Sequence, residues 1–337
     1  MPASVAFVTH VRLGDKNGRV HSNIGALRRH LILPAEALRA RGIRTHIVSL
    51  ATWPHEQLRR ILRDANRTVF SELFATPGES SPFGAGAEQY LGVLDLIPDA
   101  AERSLFIVDD AAQSTGFCSE LARRGIPQLA SANCLEPSEG PPGEPRVPSR
   151  SLAQRVGARL ARRAGVGLEP WRLRLLWFDD VPHMPAIADC LHELYPLAVE
   201  LPLSLECVLP ARAVVDASAQ GASELLNIRV SPWSPAEVGE ALSRCDLVLL
   251  TRADRGPSRL IEALNAGRFA VGPLLPAFES YAGYARLGDS LPDAIRWVIS
   301  HPAGALKALE AGQAYVRAHH SEKALAEFWL RQLRLDG

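Results

Sequence analysis

The chain has 337 residues, 47% of them hydrophobic, which is enough for two domains of ordinary size that each bury a core. Its 37 basic and 37 acidic side chains cancel to a formal net charge of zero, so the balance points to neither nucleic acid nor an acidic membrane as partner. No apolar run approaches the roughly 20 residues of a membrane-spanning helix. The short run Val5 to Val8 has no basic segment before it, so no secretory signal is expected. The cysteines (Cys118, Cys134, Cys190, Cys207 and Cys245) form no CxxC pair and stand near no histidine at ligand spacing. They read as free thiols of a cytoplasmic protein.

Val5 to Thr9 is an apolar strand, followed by a polar, glycine-bearing loop from His10 to Asn23. Ile24 to Arg41 reads as a helix with Ile24, Leu27, Leu31, Ala35 and Leu38 on one stripe, ended by Gly42, and Ile43 to Leu50 as the next strand. Strand, helix and strand within this span make a βαβ unit of a parallel sheet. The alternation continues with a helix over His55 to Ala65, a strand over Ser104 to Val108 that ends in Asp109 and Asp110, a helix over Thr115 to Arg124 and a strand over Gln128 to Ala132. Glu136 to Arg150 is rich in Pro and Gly and is neither helix nor central strand. After a basic helix over Ser151 to Ala164, a domain boundary is expected near Gly165 to Trp171.

The second half repeats the pattern. Strands are expected over Leu173 to Phe178, Leu203 to Leu209, Ile228 to Val230, Asp246 to Leu250 and Phe269 to Val271. Helices are expected from Val181 to about Leu194, over Pro235 to Arg244 with Ser234 as N-cap, over Ser258 to Ala266 with Gly267 after it, over Ser290 to Ser300, over Ala303 to His319, and from a Ser321 cap to about Leu333. The expected architecture is α/β, with two Rossmann-like domains facing a cleft: residues 1–168, onto which a terminal helix over 321–334 packs, and residues 169–320.

The chemistry concentrates between Trp233 and Gly272. A strand ends at Leu250, a polar loop holds Arg252, Asp254, Arg255, Gly256 and Pro257, and a helix starts at Pro257 and Ser258 with Glu262 in its second turn. Ligands of open α/β sheets bind beyond the carboxyl ends of the strands. A helix N-terminus offers unpaired N–H groups and partial positive charge, and Gly256 lets an anion approach the backbone. Arg252 and Arg255 can add charge-assisted hydrogen bonds, and Glu262 can accept from two neighbouring ribose hydroxyls. Arg259, one turn along, can pair with Glu262 or Asp246. The chain contains no P-loop and no GxGxxG, which disfavours NTP hydrolysis and ordinary dinucleotide binding. His319–His320 reads as a helix end and not as a metal site.

This block resembles the nucleotide-binding domain of GT-B glycosyltransferases, in particular the retaining group called family 4. Asp254 and Glu262, separated by seven residues, match that group's pair of acidic positions, and Ala266–Gly267 precede a strand as they do there. Trp233 to Leu242, Cys245 to Leu250 and Phe278 to Tyr281 resemble the flanking helix, strand and loop. Ser22 to Gly42, Leu173 to Phe178 and Ser321 to Leu333 resemble the group's first helix, the first strand of its second domain and its terminal crossing helix. The resemblance implies a metal-independent, retaining, hexosyltransferase-like enzyme. Its nucleotide-sugar would be a substrate, with no cofactor, and its acceptor is unidentified. Asp254 and His10 would be catalytic, His10 on the acceptor side, while Glu262, Arg252, Arg255, Gly256, Pro257, Ser258 and Arg259 would hold the donor.

One departure bears on mechanism. Where the group carries an Arg and Lys pair after the second domain's first strand, this chain has Asp179–Asp180–Val181–Pro182–His183. Two carboxylates there would repel a diphosphate, so Arg252, Arg255 or Arg259 would have to take over the phosphate role. Two other readings stay open: a GT-B-shaped binding or complex-forming protein without turnover, and a different chemistry such as epimerisation of a nucleotide sugar. Peripheral membrane association also stays open.

Overall fold

The computed structural model of the chain describes residues 3–9, 13–16, 19–21, 27–53, 55–71, 90–108, 116–130, 134–138, 140, 142–148, 172–179, 184–210, 226–252 and 256–335. It divides into two compact units, Met1–Pro137 with His320–Gly337, and Ser138–His319. The boundary read from the sequence at 165–171, and the helix read over Ser151 to Ala164 before it, lie outside the described residues. Gly143 N–H donates to Asn265 O (2.9 Å) and Arg146 N–H to Gly267 O (3.0 Å), so this part of the Pro-rich stretch is bonded within the second unit.

In the first unit, β1 (Ser4–Thr9), a short antiparallel hairpin of β2 (Gly14–Lys16) and β3 (Arg19–His21), α1 (Leu33–Ala40), β4 (Arg44–Ser49), α2 (His55–Asp64) and β5 (Arg67–Ser71) come first. α3 (Ala100–Arg103), β6 (Ser104–Val108), α4 (Gly116–Arg123) and β7 (Gln128–Ala130) follow. The sheet runs β4–β1–β5–β6–β7, all parallel. The helix expected over Ile24 to Arg41 is entered differently: Arg28–Ile32 form a π turn, with Leu33 N–H donating to Arg28 O, before α1 begins. Pro34 explains the widening, because it has no N–H for His30 and its ring crowds that carbonyl. The apolar stripe holds nonetheless, with Leu27, Leu31, Ala35 and Leu38 all fully buried.

β5 has no counterpart in the sequence reading, although it lies at the centre of the sheet. RTVFS offers only two large apolar side chains, but Thr68 and Ser71 are also fully buried. Successive β1 residues serve opposite faces. Ala6 and Val8 join the face where Phe70 and Phe106 stack at 4.5 Å, with Tyr90 edge-on to both. Val5 and Phe7 join the face covered by α1 and by the terminal helix α10 (Glu322–Gln332), whose Trp329 meets Phe7 edge-on at 5.9 Å.

The second unit contains β8 (Leu173–Phe178), α5 (Met184–Glu200), β9 (Leu203–Leu209), β10 (Leu226–Pro232), α6 (Pro235–Arg244), β11 (Leu247–Leu249), α7 (Ser258–Asn265), β12 (Phe269–Gly272), β13 (Arg286–Leu287), α8 (Leu291–Ser300) and α9 (Pro302–His319). The expected caps are in place, Ser234 accepting from Glu237 N–H, Ser290 from Asp293 N–H and Ser321 from Ala324 N–H. α5 runs beyond the expected end at Leu194 and passes through Pro196, because Leu197 and Ala198 complete its buried face. The sheet order is β10–β9–β8–β11–β12–β13, all parallel. Counted along the chain, this is the 3-2-1-4-5-6 order of a Rossmann fold, whose reversal falls between β8 and β11. Both strands are buried on two faces and therefore read as near-continuous apolar runs.

All five cysteines are free and buried. Burial pushes the thiols of Cys134, Cys207 and Cys245 up to about 12, so none of these three is a thiolate at neutral pH. Among the described residues, no helix is long and apolar enough to cross a membrane, and no group of His, Cys, Asp and Glu could hold a metal ion.

Candidate functional site

The order reversal of the second sheet brings the carboxyl ends of β8 and β11 side by side. The chain leaves the sheet after Leu250, whose N–H still donates to Val271 O at 2.8 Å. Gly272, at the end of β12, is required by this exit: a Cβ there would lie 2.6 Å from both Leu250 Cβ and Leu250 O. Arg252 is exposed, Gly256 and Pro257 are half-buried, and α7 begins at Ser258. The N-cap is Pro257, which has no side chain able to accept a hydrogen bond, so no cap covers the first-turn N–H groups from that position.

α7 is nearly enclosed. Arg259, Leu260, Ile261, Ala263, Leu264 and Asn265 are buried, and only Ser258 and Glu262 are half-open. These two stand four residues apart and share one stripe of the helix. Glu262 thus lies one turn behind the helix start and on the same side as Ser258.

The far end of α7 is locked. Gly267 (φ +68) closes it, with Arg268 N–H donating to Ala263 O (2.8 Å) and Gly267 N–H to Leu264 O (3.0 Å), the paired bonds of a Schellman motif. The Gly143–Arg146 stretch lies against this turn. Gln313 Nε2 donates to Gly143 O (2.7 Å) and to Asn265 O (3.0 Å). The buried Arg268 guanidinium donates to Leu242 O, Ser243 O, Glu144 O and Gly267 O. Burial, with Arg146 nearby, lowers its pKa from the ordinary value.

Of the two partners expected for Arg259, Glu262 and Asp246, the second is engaged elsewhere. Asp246 is held by Arg174, Nη2 to Oδ1 at 2.7 Å and Nε to Oδ2 at 3.1 Å, at the amino end of the strands. Arg259 reaches across to the carboxyl end of β8, where its Nη2 lies 3.0 Å from Asp179 Oδ2. Both side chains are largely enclosed, at 7% and 13% exposure. The guanidinium lies over Trp177, 5.1 Å from the ring centroid, and 5.7 Å from that of Phe178. Asp179 is therefore not an open carboxylate facing the crevice, as expected from the sequence, but one half of a buried ion pair. Sequence reasoning missed the pairing, although two signals were there: an arginine directly before the apolar Leu260 and Ile261, and an aspartate where the resembling group is basic.

Among the expected site residues, the structure brings Gly256, Pro257, Ser258, Arg259 and Glu262 together at the start of α7 and places Arg252 at the exit of β11. Asp254, Arg255, His10, Asp180 and His183 lie outside the described residues, as do Asp109 and Asp110. Arg29, in the π turn before α1, has its Nε 3.3 Å from Glu136 Oε2 within the first unit. His320 Nδ1 lies 2.6 Å from Glu136 O, and His319 stacks on Tyr315 at 4.3 Å.

Two α/β units built on parallel sheets, the second with Rossmann strand order, define the GT-B fold of glycosyltransferases. Solved structures with this fold match over nearly the whole chain. An α-glucosyltransferase in complex with UDP and a 13-mer DNA is 12% identical with a TM-score of 0.60, covering 98% of this chain and 99% of its own. HepE of Anabaena, in complex with UDP and glucose, is 11% identical with a TM-score of 0.52 over 99% and 100% of the two chains. WaaG, a glycosyltransferase involved in lipopolysaccharide biosynthesis, is 13% identical with a TM-score of 0.52 over 98% and 99%. No protein-family model matches the chain, and no curated protein matches it in sequence.

Proposed function

We propose that the chain is a glycosyltransferase that transfers a sugar from a nucleoside-diphosphate donor bound at the carboxyl edge of the second sheet. The observation that carries this reading is the start of α7 at the strand-order reversal, where the N-cap Pro257 has no side-chain acceptor, with Arg259 in its first turn paired to Asp179 and Glu262 one turn behind on the open stripe. The likeness to structures that hold UDP supports it. The first-turn N–H groups of α7, with Gly256, Pro257 and Ser258 shaping the approach, meet the donor's phosphates. Arg259, Arg252 and Arg255 supply positive charge, and Glu262 accepts from the ribose hydroxyls. When the bond from the anomeric carbon to the phosphate oxygen breaks, negative charge grows on the departing nucleoside diphosphate. Fixed guanidinium and amide dipoles stabilise that charge without a metal.

The family 4 resemblance assigns retention of configuration, a catalytic role for Asp254 and an acceptor-side role for His10, and the proposal includes these. The donor is a substrate, and no cofactor is required. The alternative of a binding protein without turnover rests on Asp179 and Asp180 standing in place of basic residues; in the transferase reading Arg259, paired with Asp179, supplies the charge.

The test is thermal denaturation with a panel of UDP-, GDP- and ADP-sugars, followed by product analysis. One donor is expected to raise Tm in a concentration-dependent manner. Glu262→Ala is expected to weaken that donor by about 10–100-fold, the range for hydrogen bonds to a charged group. A panel without effect, or an unchanged affinity in Glu262→Ala, contradicts the reading.

A further inference from the structure

We propose that Asp179 is a positioning residue for the donor's diphosphate. It holds the Arg259 guanidinium at the carboxyl end of β8, in place of basic side chains from the loop that follows. This rests on the donor-site reading above and adds the group that orients its cation.

Arg259 springs from a helix whose neighbouring positions, Leu260 and Ile261, are fully buried. A guanidinium sent into such surroundings needs a partner. Asp179 supplies it at 3.0 Å, and its own backbone is fixed because its N–H donates to Val208 O at 3.0 Å, continuing the β8–β9 register. Trp177 and Phe178, from the same strand, lie on the guanidinium side and restrict its tilt. Trp177 Nε1, buried beside them at 2% exposure, has no hydrogen-bond partner among the described residues. Two apolar side chains would hold β8 to α7 as well as an ion pair does. Here the pair stands at the strand-order reversal, where an oriented cation is useful to an anionic ligand.

The two roles open to Asp179 predict opposite signs. As a bare negative charge it opposes a diphosphate, and its neutralisation would tighten binding. As the holder of Arg259 it supports the diphosphate, and its neutralisation loosens binding. The Coulomb contact with Arg259 is direct, so most of the aspartate's field is already cancelled and orientation wins.

The experiment is calorimetric titration of the full chain with UDP, GDP and ADP, each beside its own nucleoside. The readout is the ratio of nucleoside Kd to nucleoside-diphosphate Kd, which a purely structural role leaves alone. Asp179→Asn is expected to lower this ratio about tenfold while leaving the nucleoside Kd unchanged, and Asp179→Glu to restore part of it. A ratio unchanged or raised in a folded Asp179→Asn protein overturns the proposal and leaves the donor site standing. Should Asp179→Asn not fold, Arg259→Lys is read in the same way: it keeps the charge but loses the fork, and an unchanged ratio overturns the proposal. If the parent protein prefers none of the three diphosphates to its nucleoside, the donor-site reading falls, and this inference with it.

Discussion

Arg259→Ala is expected to lower the free energy of unfolding by about 3–5 kcal/mol, the usual cost of removing one partner from a buried ion pair. The truncation leaves the Asp179 carboxylate enclosed at 13% exposure without this guanidinium, and it strips the cation from the faces of Trp177 and Phe178. The size of the loss comes from an enclosed carboxylate losing this guanidinium and not from the net worth of the pair. Arg259→Met combined with Asp179→Leu is therefore expected to recover most of it, because two apolar side chains fill the same gap between α7 and β8. The measurement is the shift of the urea midpoint in the two single variants and the double variant, read as a cycle. Additive losses in the double variant would show that the two side chains do not depend on each other. The double variant is also expected to bind the donor poorly despite its recovered stability, separating the pair's structural role from its functional one.

Gly267→Ala is expected to be damaging for a different reason. The left-handed φ of +68 costs an alanine about 1–2 kcal/mol. The new Cβ would stand 2.4 Å from Glu144 O and 2.6 Å from Glu144 C, both backbone atoms that no rotamer change moves aside. Overpacking adds about 1–3 kcal/mol. The total loss of about 2–5 kcal/mol would be seen as a fall in Tm. Displacing the Gly143–Arg146 stretch also disturbs the bonds that Gln313 and Arg268 make around the end of α7. Donor affinity is therefore expected to fall with stability, although Gly267 lies at the opposite end of the helix from the proposed phosphate contacts. A Tm within about a degree of the parent would contradict this account of the turn.

Most elements of the fold were legible, because parallel strands and their covering helices carry strong, short-range signals. β8, β9, α6 and α9 stand within a residue or so of where their apolar runs and caps placed them. β5 was not legible, since its burial comes from its place in the middle of the sheet and not from its composition: Thr68 and Ser71 look like loop residues until β1 and β6 close over them. The π turn before α1 was hidden because the apolar stripe continues through it, and only Pro34 marks the change.

At the site, the start of α7 and the Glu262 position followed from local spacing along one helix. The Asp179–Arg259 contact joins residues from two strand-helix units, and a single sequence carries no term for such a distance. Read from the sequence alone, Asp179 was a charge opposed to phosphate; read in the fold, it is a charge already paired.

The start of α7 is the proposed diphosphate site. The most direct measurement is a crystal structure of the full chain with the nucleoside diphosphate that raises Tm furthest. The predicted result has the phosphates against the first-turn N–H groups of α7 and the Arg259 guanidinium, and the ribose hydroxyls on Glu262. A nucleotide bound elsewhere on the second unit, or one whose ribose lies away from Glu262, would contradict it.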